Sequence, residues 1–311
     1  MNYNIYIAIF AFNRPDLLRS TLTALAANDL ANNASVTIFC DGPRHERDEL
    51  DTQAVREVAK KSQGFASVEV VERPKNMGCA RSVIDGLTEM FRLYERLIVI
   101  EDDIMTSPYT LRFLSEGLAR YADSEKVFNI ASWTPPHIVR KLPASYPYDV
   151  YAIPRFNCWG WASWRDRFQG IDWSITDYQE FKNSPQLRST FDAGGKDLSS
   201  MLDMQMRGKI DSWAIRADYA RFKKNMLGIN PVRSYALNIG MGSGTHTTTA
   251  TTYWDSDISL AVKHPRFMDD VTVDARIHET YLACYEGQKR SLPVRAINKL
   301  SRMLSGKNLI P

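Results

Sequence analysis

Several features that would place this chain in a familiar class are absent or scarce. Its four cysteines are widely scattered with no CxxC pair, which argues against a zinc site or a disulfide framework and fits a reducing compartment. No apolar run approaches the roughly 18 to 20 residues that cross a bilayer. The first residues also lack the basic region and cleavage site of a signal peptide. We therefore expect a cytoplasmic protein, soluble or peripheral at the inner face of a membrane.

An excess of charge of one sign is also absent, because 39 lysines and arginines oppose 36 aspartates and glutamates. This balance gives no global electrostatic reason to expect nucleic acid as a partner. Neither a GxGxxG nor a GxxxxGK[ST] pattern occurs, which counts against a dinucleotide-dependent oxidoreductase and a P-loop enzyme. The 311 residues suffice for one large catalytic domain with a C-terminal appendage.

The first hundred residues alternate short, β-branched apolar runs with helical patterns. Strands are predicted at 5–12, 36–40, 68–71 and 97–100, with a helix after each of the first three. This alternation predicts an α/β fold with a mostly parallel sheet and helices on both faces. Ligands of such sheets bind at the carboxyl ends of the strands, so the loops there are the expected site.

The fourth of these runs ends in three adjacent carboxylates, Glu101, Asp102 and Asp103. Neighbouring acids repel one another unless a positive group lies between them. A divalent cation completed by the phosphates of a substrate would meet that need. A solvated strand end, or acids that suit a helix N-terminus, is the alternative without a ligand.

The second half carries aromatic and glycine-rich features. Tryptophans crowd into 156–164, where they form either core or a platform on which sugar rings stack. Asp197 follows Gly194-Gly195-Lys196 at a predicted helix start, where it could also act as the N-cap. Three glycines within 240–244 precede His246 and predict a loop able to close over a ligand.

Together these features resemble a GT-A glycosyltransferase. The succession Val-Ile-Glu-Asp-Asp, Ile-Ala-Ser-Trp and Trp-Gly-Trp is similar to family-two bacterial sugar transferases and to the N-acetylglucosaminyltransferase I group. The resemblance covers roughly residues 4–250 and implies a Rossmann-like GT-A fold. A catalytic domain is expected over 1–265, with a nucleotide-binding half at 1–105 and an acceptor-binding half at 106–265. A C-terminal helical extension would follow at 266–311.

The resemblance also implies a metal site in this domain. Asp103 would be the acid that binds Mn²⁺ or Mg²⁺ directly, and His246 would reach the metal or the diphosphate. Glu101 and Asp102 would help to hold the metal and the ribose. The predicted cofactor is therefore Mn²⁺, with Mg²⁺ as the alternative.

Four further residues are implied in donor binding. Asp41 would accept a hydrogen bond from the base, and Asn13 and Arg14 would line the same nucleotide pocket. Arg81 would reach the nucleotide or the diphosphate, with a surface ion pair as the alternative for this side chain.

The general base is implied by a Gly-Glu-Asp motif that Asp197 matches, although Lys196 replaces the Glu. Asp203 and Asp211 are alternative bases without that motif. The acceptor site is assigned to three tryptophans of the acceptor-binding half, Trp133, Trp159 and Trp161.

The implied activity is metal-dependent, inverting transfer of a hexosyl or N-acetylhexosaminyl group in bacterial surface polysaccharide synthesis. The donor would be a nucleotide sugar, with a UDP-sugar favoured, and the acceptor a saccharide or lipid-linked saccharide. A basic amphipathic pattern over 289–307 predicts a helix that lies on an anionic membrane or packs on the domain. A sugar-nucleotide nucleotidyltransferase and a non-catalytic carbohydrate-binding protein are the alternatives.

Overall fold

The computed structural model describes residues 4–143, 145–241 and 252–286. The strands of these ranges are β1 (Ile5–Ala11), β2 (Ala34–Cys40), β3 (Ser67–Glu72), β4 (Arg96–Glu101), β5 (Ile104–Thr106), β6 (Val127–Ala131), β7 (Val150–Ile153), β8 (Trp161–Trp164), β9 (Leu227–Pro231) and β10 (Ala236–Asn238). Their helices are α1 (Pro15–Ala26), α2 (Glu49–Lys60), α3 (Cys79–Leu93), α4 (Thr110–Arg120), α5 (His137–Lys141), α6 (Arg165–Phe168), α7 (Tyr178–Asn183), α8 (Pro185–Phe191), α9 (Leu198–Met206), α10 (Trp213–Lys223) and α11 (Ala275–Glu286).

Eight strands form one sheet in the order β3-β2-β1-β4-β8-β6-β9-β7. The pairs β1–β2, β2–β3, β1–β4 and β6–β9 are parallel, whereas β7 and β8 run antiparallel to their neighbours. Strands β5 and β10 form a separate antiparallel pair. The prediction of an α/β class with a mostly parallel central sheet and helices on both faces is confirmed.

The position of the site follows from the strand order. The chain passes from β1 outward to β2 and β3, and then returns to the other side of β1 as β4. Such a reversal leaves a crevice between the carboxyl ends of the two strands, because their connections leave in opposite directions. The acids that end β4 lie at this crevice.

Helices cover both faces of the sheet. The central strands are apolar on both sides, so both faces must be shielded from water. On one face, Leu18 and Leu22 of α1 and Phe113 of α4 belong to the larger core. On the other, Leu87 of α3 and Trp213 of α10 belong to a second core. Burial of these side chains contributes about 1.5–3 kcal/mol each to folding.

The described part of the predicted C-terminal extension packs on the residues that precede it. Phe267 stacks on Phe113, and Met268 exchanges hydrogen bonds with the hydroxyl of Tyr121. Tyr281 of α11 is fully buried. The basic segment 289–307 lies outside the described residues, and no helix of the described chain is long and apolar enough to span a bilayer.

Candidate functional site

A cavity of about 600 Å³ opens at the carboxyl ends of β1 and β4. This volume lies within the range of small-molecule sites. The described residues that line it are Phe10, Ala11, Phe12, Asn13, Arg14, Asp41, Arg44, Asn76, Gly78, Cys79, Ser82, Val83, Glu101, Asp102 and Asp211.

Arg14 bridges the two aspartates of the acidic triplet. Its Nη1 donates to Asp103 Oδ2 at 2.9 Å, its Nη2 donates to Asp102 Oδ1, and its Nε donates to Asp102 Oδ2 at 3.4 Å. Asp102 and Asp103 expose only 3% and 6% of their surface. The positive group that the adjacent acids require is therefore supplied by the chain itself in this structure.

The electrostatics of the triplet follow from burial and crowding. Burial, reinforced by Asp103 and Asp102, raises the pKa of Glu101 well above its usual range. Burial also raises the pKa of Asp102, although Arg14 opposes that shift. For Arg14, burial alone would lower the pKa, but the two aspartates outweigh it and the pKa is raised. Arg14 therefore stays charged, and Glu101 is the acid that most readily holds a proton.

The segment after β10 closes against Asp103. Ile239 donates its backbone N–H to the Asp103 carbonyl at 2.8 Å, and Asn238 Nδ2 lies 3.5 Å from Asp103 Oδ1. A Cβ on Gly240 would fall inside contact distance of Asp103 Oδ2, so only glycine fits. This segment leads toward His246, which lies outside the described residues, and its predicted contact to a metal stays a prediction.

Asp41 orders the loop between β3 and α3. Its Oδ1 accepts the backbone N–H of Gly42 and of Met77 at 3.0 Å each, and its Oδ2 accepts Asn76 Nδ2 at 3.0 Å. Burial raises the pKa of this carboxyl, and these backbone hydrogen bonds partly offset the shift. Asp41 thus lines the predicted pocket, but both of its carboxylate oxygens already accept hydrogen bonds from the protein itself.

Phe12 and Arg44 are among the cavity residues that the sequence analysis did not assign to a site. The guanidinium of Arg44 lies 4.5 Å from the ring centroid of Phe12, which ends the run predicted as the first strand and follows β1. Together they offer an aromatic surface and a positive charge beside Asn13. A loop position gives such residues no periodic signal, so only the fold brings them to the site.

The three candidate bases have different surroundings. Both oxygens of Asp197 accept from Arg155, at 2.8 Å each. Burial alone would raise the pKa of Asp197, but this bidentate pair lowers it. Asp203 accepts from Arg188 and from the Tyr178 hydroxyl, and the bonds from Arg188 lower its pKa.

Asp211 is the candidate base that lines the cavity. Its Oδ2 accepts the backbone N–H of Ala80, in the first turn of α3, at 3.2 Å. Gly78 makes this approach possible, because its φ of +81° places the chain in a conformation that favours glycine. About half of the Asp211 side chain is exposed, and its nearest cation, Arg216, is 3.6 Å away.

The tryptophan assignment needs correction at two positions. Trp161 is completely buried in β8, where it stacks on Phe168, so it cannot contact an acceptor. Trp133 is 4% exposed and packs edge-on against Trp159 and Trp254. Both are core residues, and Trp159 alone of the three assigned tryptophans keeps a partly exposed surface.

Arg81 lies away from the cavity on the exposed side of α3. Its side chain is 75% exposed, and its Nε is 3.8 Å from Asp85 one turn along the helix. This is the surface ion pair that was the alternative to a nucleotide contact. The sequence spacing placed Arg81 in the correct helix but did not define which way its side chain points.

The donor set suits a hard cation only in part. Carboxylate oxygens of Asp102 and Asp103 are the ligands that Mg²⁺ and Mn²⁺ accept. No group of three or more His, Cys, Asp or Glu side chains in the described ranges is arranged to hold a metal ion. A cation would therefore need oxygen atoms from a bound ligand to complete its coordination.

No family model and no curated protein matches this chain. Solved structures resemble it at low similarity. S. aureus TarS is 13% identical, with a TM-score of 0.38 over 61% of this chain and 33% of that one. A cytidylyltransferase from Leptospira borgpetersenii serovar Hardjo-bovis is 13% identical, with a TM-score of 0.34 over 55% and 64%. The chain thus spans about a third of the first protein and less than two thirds of the second, and neither likeness bears on its activity.

Proposed function

We propose that this protein is a glycosyltransferase that moves a sugar from a nucleotide-sugar donor to a hydroxyl of a saccharide acceptor. One observation carries the proposal: Arg14, Glu101, Asp102 and Asp211 line a single cavity at the sheet's reversal point. This arrangement combines a guanidinium for a diphosphate with a partly exposed carboxylate for a hydroxyl. Binding a carbohydrate without reaction would require neither a base for a hydroxyl proton nor a group that stabilises a departing diphosphate.

The donor is proposed to lie along the carboxyl ends of β1 and β4. Phe12 and Asn13 would face the base and the ribose, beside the loop that Asp41 orders. Arg14 and Arg44 would face the diphosphate, because guanidinium groups bind phosphates through paired N–H donors. A UDP-sugar is the first donor to test.

The reaction is proposed as a direct displacement at the anomeric carbon. The acceptor oxygen forms a bond to this carbon while the bond to the diphosphate oxygen breaks, and that oxygen leaves with the electron pair. Arg14 stabilises the leaving charge. Attack from the opposite face inverts the configuration, and no covalent intermediate is needed.

Asp211 is the base that this geometry favours, and it would take the proton of the acceptor hydroxyl as the new bond forms. It shares the cavity with Glu101 and Asp102, whereas both oxygens of Asp197 are held by Arg155. A carboxylate with a bidentate guanidinium partner and a lowered pKa is a weak proton acceptor. Asp197 is instead proposed to fix the acceptor half through Arg155.

A divalent cation, when bound with the donor, would offset negative charge on the departing diphosphate. Asp102 and Asp103 are the described residues that would hold it. We propose further that the acceptor is lipid-linked and that the enzyme acts in bacterial surface polysaccharide synthesis. Residues 289–307 are proposed to contact the membrane.

The proposal is tested by incubating the protein and Mn²⁺ with UDP-, GDP- and dTDP-sugars and assaying the released nucleoside diphosphate. We expect Asp211→Asn to lower turnover by about 10² to 10⁴, the usual contribution of a general base, with nucleotide affinity within about threefold of wild type. Asp203→Asn, which alters a paired carboxylate away from the cavity, is the matched control.

Each other outcome has a definite meaning. Loss of turnover in Asp197→Asn with full activity in Asp211→Asn would make Asp197 the base. Formation of a nucleotide sugar and pyrophosphate from a nucleoside triphosphate and a sugar 1-phosphate would assign nucleotidyl transfer instead. Absence of both nucleotide binding and turnover with every donor would reject the proposed function.

A further inference from the structure

We propose that Arg14 is an internal counter-ion that keeps divalent cations from Asp102 and Asp103 until a diphosphate draws its guanidinium away. The inference rests on the proposed function for the identity of this second ligand. It adds an order of binding, in which nucleotide and cation enter together and each raises the affinity of the other.

The contacts show that the two carboxylates are already satisfied. Three of their four oxygens face an N–H of Arg14, with Nη1 to Asp103 Oδ2 at 2.9 Å and Nε to Asp102 Oδ2 at 3.4 Å. The fourth, Asp103 Oδ1, faces Asn238 Nδ2 at 3.5 Å. A cation that bound these oxygens would compete with Arg14, because two positive groups at one carboxylate pair repel each other.

Burial of the two aspartates strengthens their pairing with Arg14, and the cavity leaves Arg14 within reach of a ligand. The side chains of Asp102 and Asp103 are 5% and 9% exposed, so water screens their pairing with Arg14 only weakly. The Arg14 side chain is 23% exposed and lines the cavity, so a ligand there can reach it. The guanidinium is thus the accessible half of a buried ion pair.

A diphosphate can accept Arg14 with the same paired hydrogen bonds that a carboxylate offers. Once Arg14 turns to the phosphates, the aspartate oxygens are available to a cation, and phosphate oxygens can complete its coordination. The described chain offers no third carboxylate, imidazole or thiolate ligand in a suitable arrangement, which makes this completion necessary. Because binding free energies are linked, the coupling is the same in both directions.

The test measures Mn²⁺ binding to the full chain by electron paramagnetic resonance of free Mn²⁺, with and without UDP. For the wild type we expect UDP to tighten Mn²⁺ binding by about tenfold or more, equivalent to about 1.4 kcal/mol. For Arg14→Gln we expect Mn²⁺ alone to bind at least about tenfold more tightly than to the wild type. UDP should tighten Mn²⁺ binding to this variant less than to the wild type, because the phosphate oxygens still complete the coordination but no guanidinium remains to be removed.

The matched control is Arg112→Gln, which removes a guanidinium that also contacts two carboxylates, Asp29 at 2.7 Å and Glu116 at 3.6 Å, outside the site. Its Mn²⁺ affinity should equal that of the wild type. Arg14→Lys keeps one charge but cannot span both aspartates, so its affinity should fall between the wild type and Arg14→Gln. If Arg14→Gln folds poorly, the lysine variant carries the comparison.

Equal Mn²⁺ affinity of the wild type and both Arg14 variants without nucleotide would overturn the inference. Failure of the proposed function is distinguishable from this. If UDP does not bind, the Mn²⁺ comparison in its absence still shows whether Arg14 competes with the cation. If UDP binds but leaves wild-type Mn²⁺ affinity unchanged, the coupling is refuted and the transferase proposal stands.

Discussion

The contacts of Asp41 predict that its carboxylate acts on the nucleotide through the loop, and Asp41→Asn tests this. An asparagine can keep the oxygen that accepts from Gly42 and Met77. Its amide nitrogen would then face Asn76 Nδ2, so two donors would meet where Asp41 Oδ2 accepts at 3.0 Å. Asn76 cannot simply turn over, because its Nδ2 also donates to the Gly42 carbonyl at 2.9 Å and its Oδ1 accepts from Gly78 at 3.1 Å.

The magnitude follows from these bonds. A buried donor left without its acceptor costs about 1–3 kcal/mol, and more where the lost partner was charged, so we expect a loss of about 2–3 kcal/mol of stability. For a chain of 311 residues, whose unfolding entropy is about 0.65 kcal/mol/K, this lowers the Tm by about 3–5 °C. Nucleotide affinity should fall as well, because Asn76 and Gly78 line the cavity from this loop.

The assay is thermal unfolding and UDP binding of Asp41→Asn beside Asp29→Asn, whose carboxylate is paired with Arg112 at the surface. Exposed pairs contribute about 0–1 kcal/mol, so the control should lose little of either property. If Asp41→Asn loses UDP affinity while its Tm stays within about 1 °C of wild type, our reasoning is wrong. The carboxylate would then contact the nucleotide itself.

Two further predictions concern the acidic triplet. Burial and the neighbouring aspartates raise the pKa of Glu101 in the folded protein. As pH rises above about 4.3, the unfolded chain loses the Glu101 proton before the folded protein does, so the free energy of unfolding falls. Glu101→Gln should therefore be more stable than wild type near pH 7 in urea unfolding, with a gap that shrinks toward pH 4; a constant gap would contradict this. Gly240→Ala should push its Cβ against Asp103 and weaken UDP and Mn²⁺ binding in calorimetry. Gly208→Ala, whose Cβ meets nothing within 4 Å but whose φ of +64° disfavours alanine, should lower stability and leave both affinities unchanged.

The sequence predicted the sheet better than the directions of side chains. Strand and helix periodicity fix which residues are apolar and in what order, and the parallel core with its acid-bearing fourth strand follows from that order. The direction in which a side chain points depends on how segments that are distant in the sequence pack together. Arg81 was placed in the correct helix but points outward, and Trp161, read as an acceptor platform, is enclosed by Phe168 and Trp213.

Long-range pairing also explains the residues whose partners the sequence did not indicate. Arg14 lies 89 positions from Asp103, and Arg155 lies 42 positions from Asp197. Neither pairing follows from local spacing, because the fold brings together the ends of separate strands and loops. A divalent cation was expected beside the triplet and stays a prediction, whereas the structure places a guanidinium from the first loop there.

The charges of the cavity constrain what can bind there. Four carboxylates line it, from Asp41, Glu101, Asp102 and Asp211, against two guanidiniums, from Arg14 and Arg44. A diphosphate adds further negative charge to a site that already has an excess of acids. Positive charge that offsets this excess would favour binding of the proposed donor, either as a proton kept on Glu101 or as a cation at the aspartates that Arg14 releases. Burial is the main cause of the raised pKa of Glu101, and the two aspartates that add to it are the same two that hold Arg14. A proton on Glu101 and the guanidinium of Arg14 thus answer the same crowding of acids.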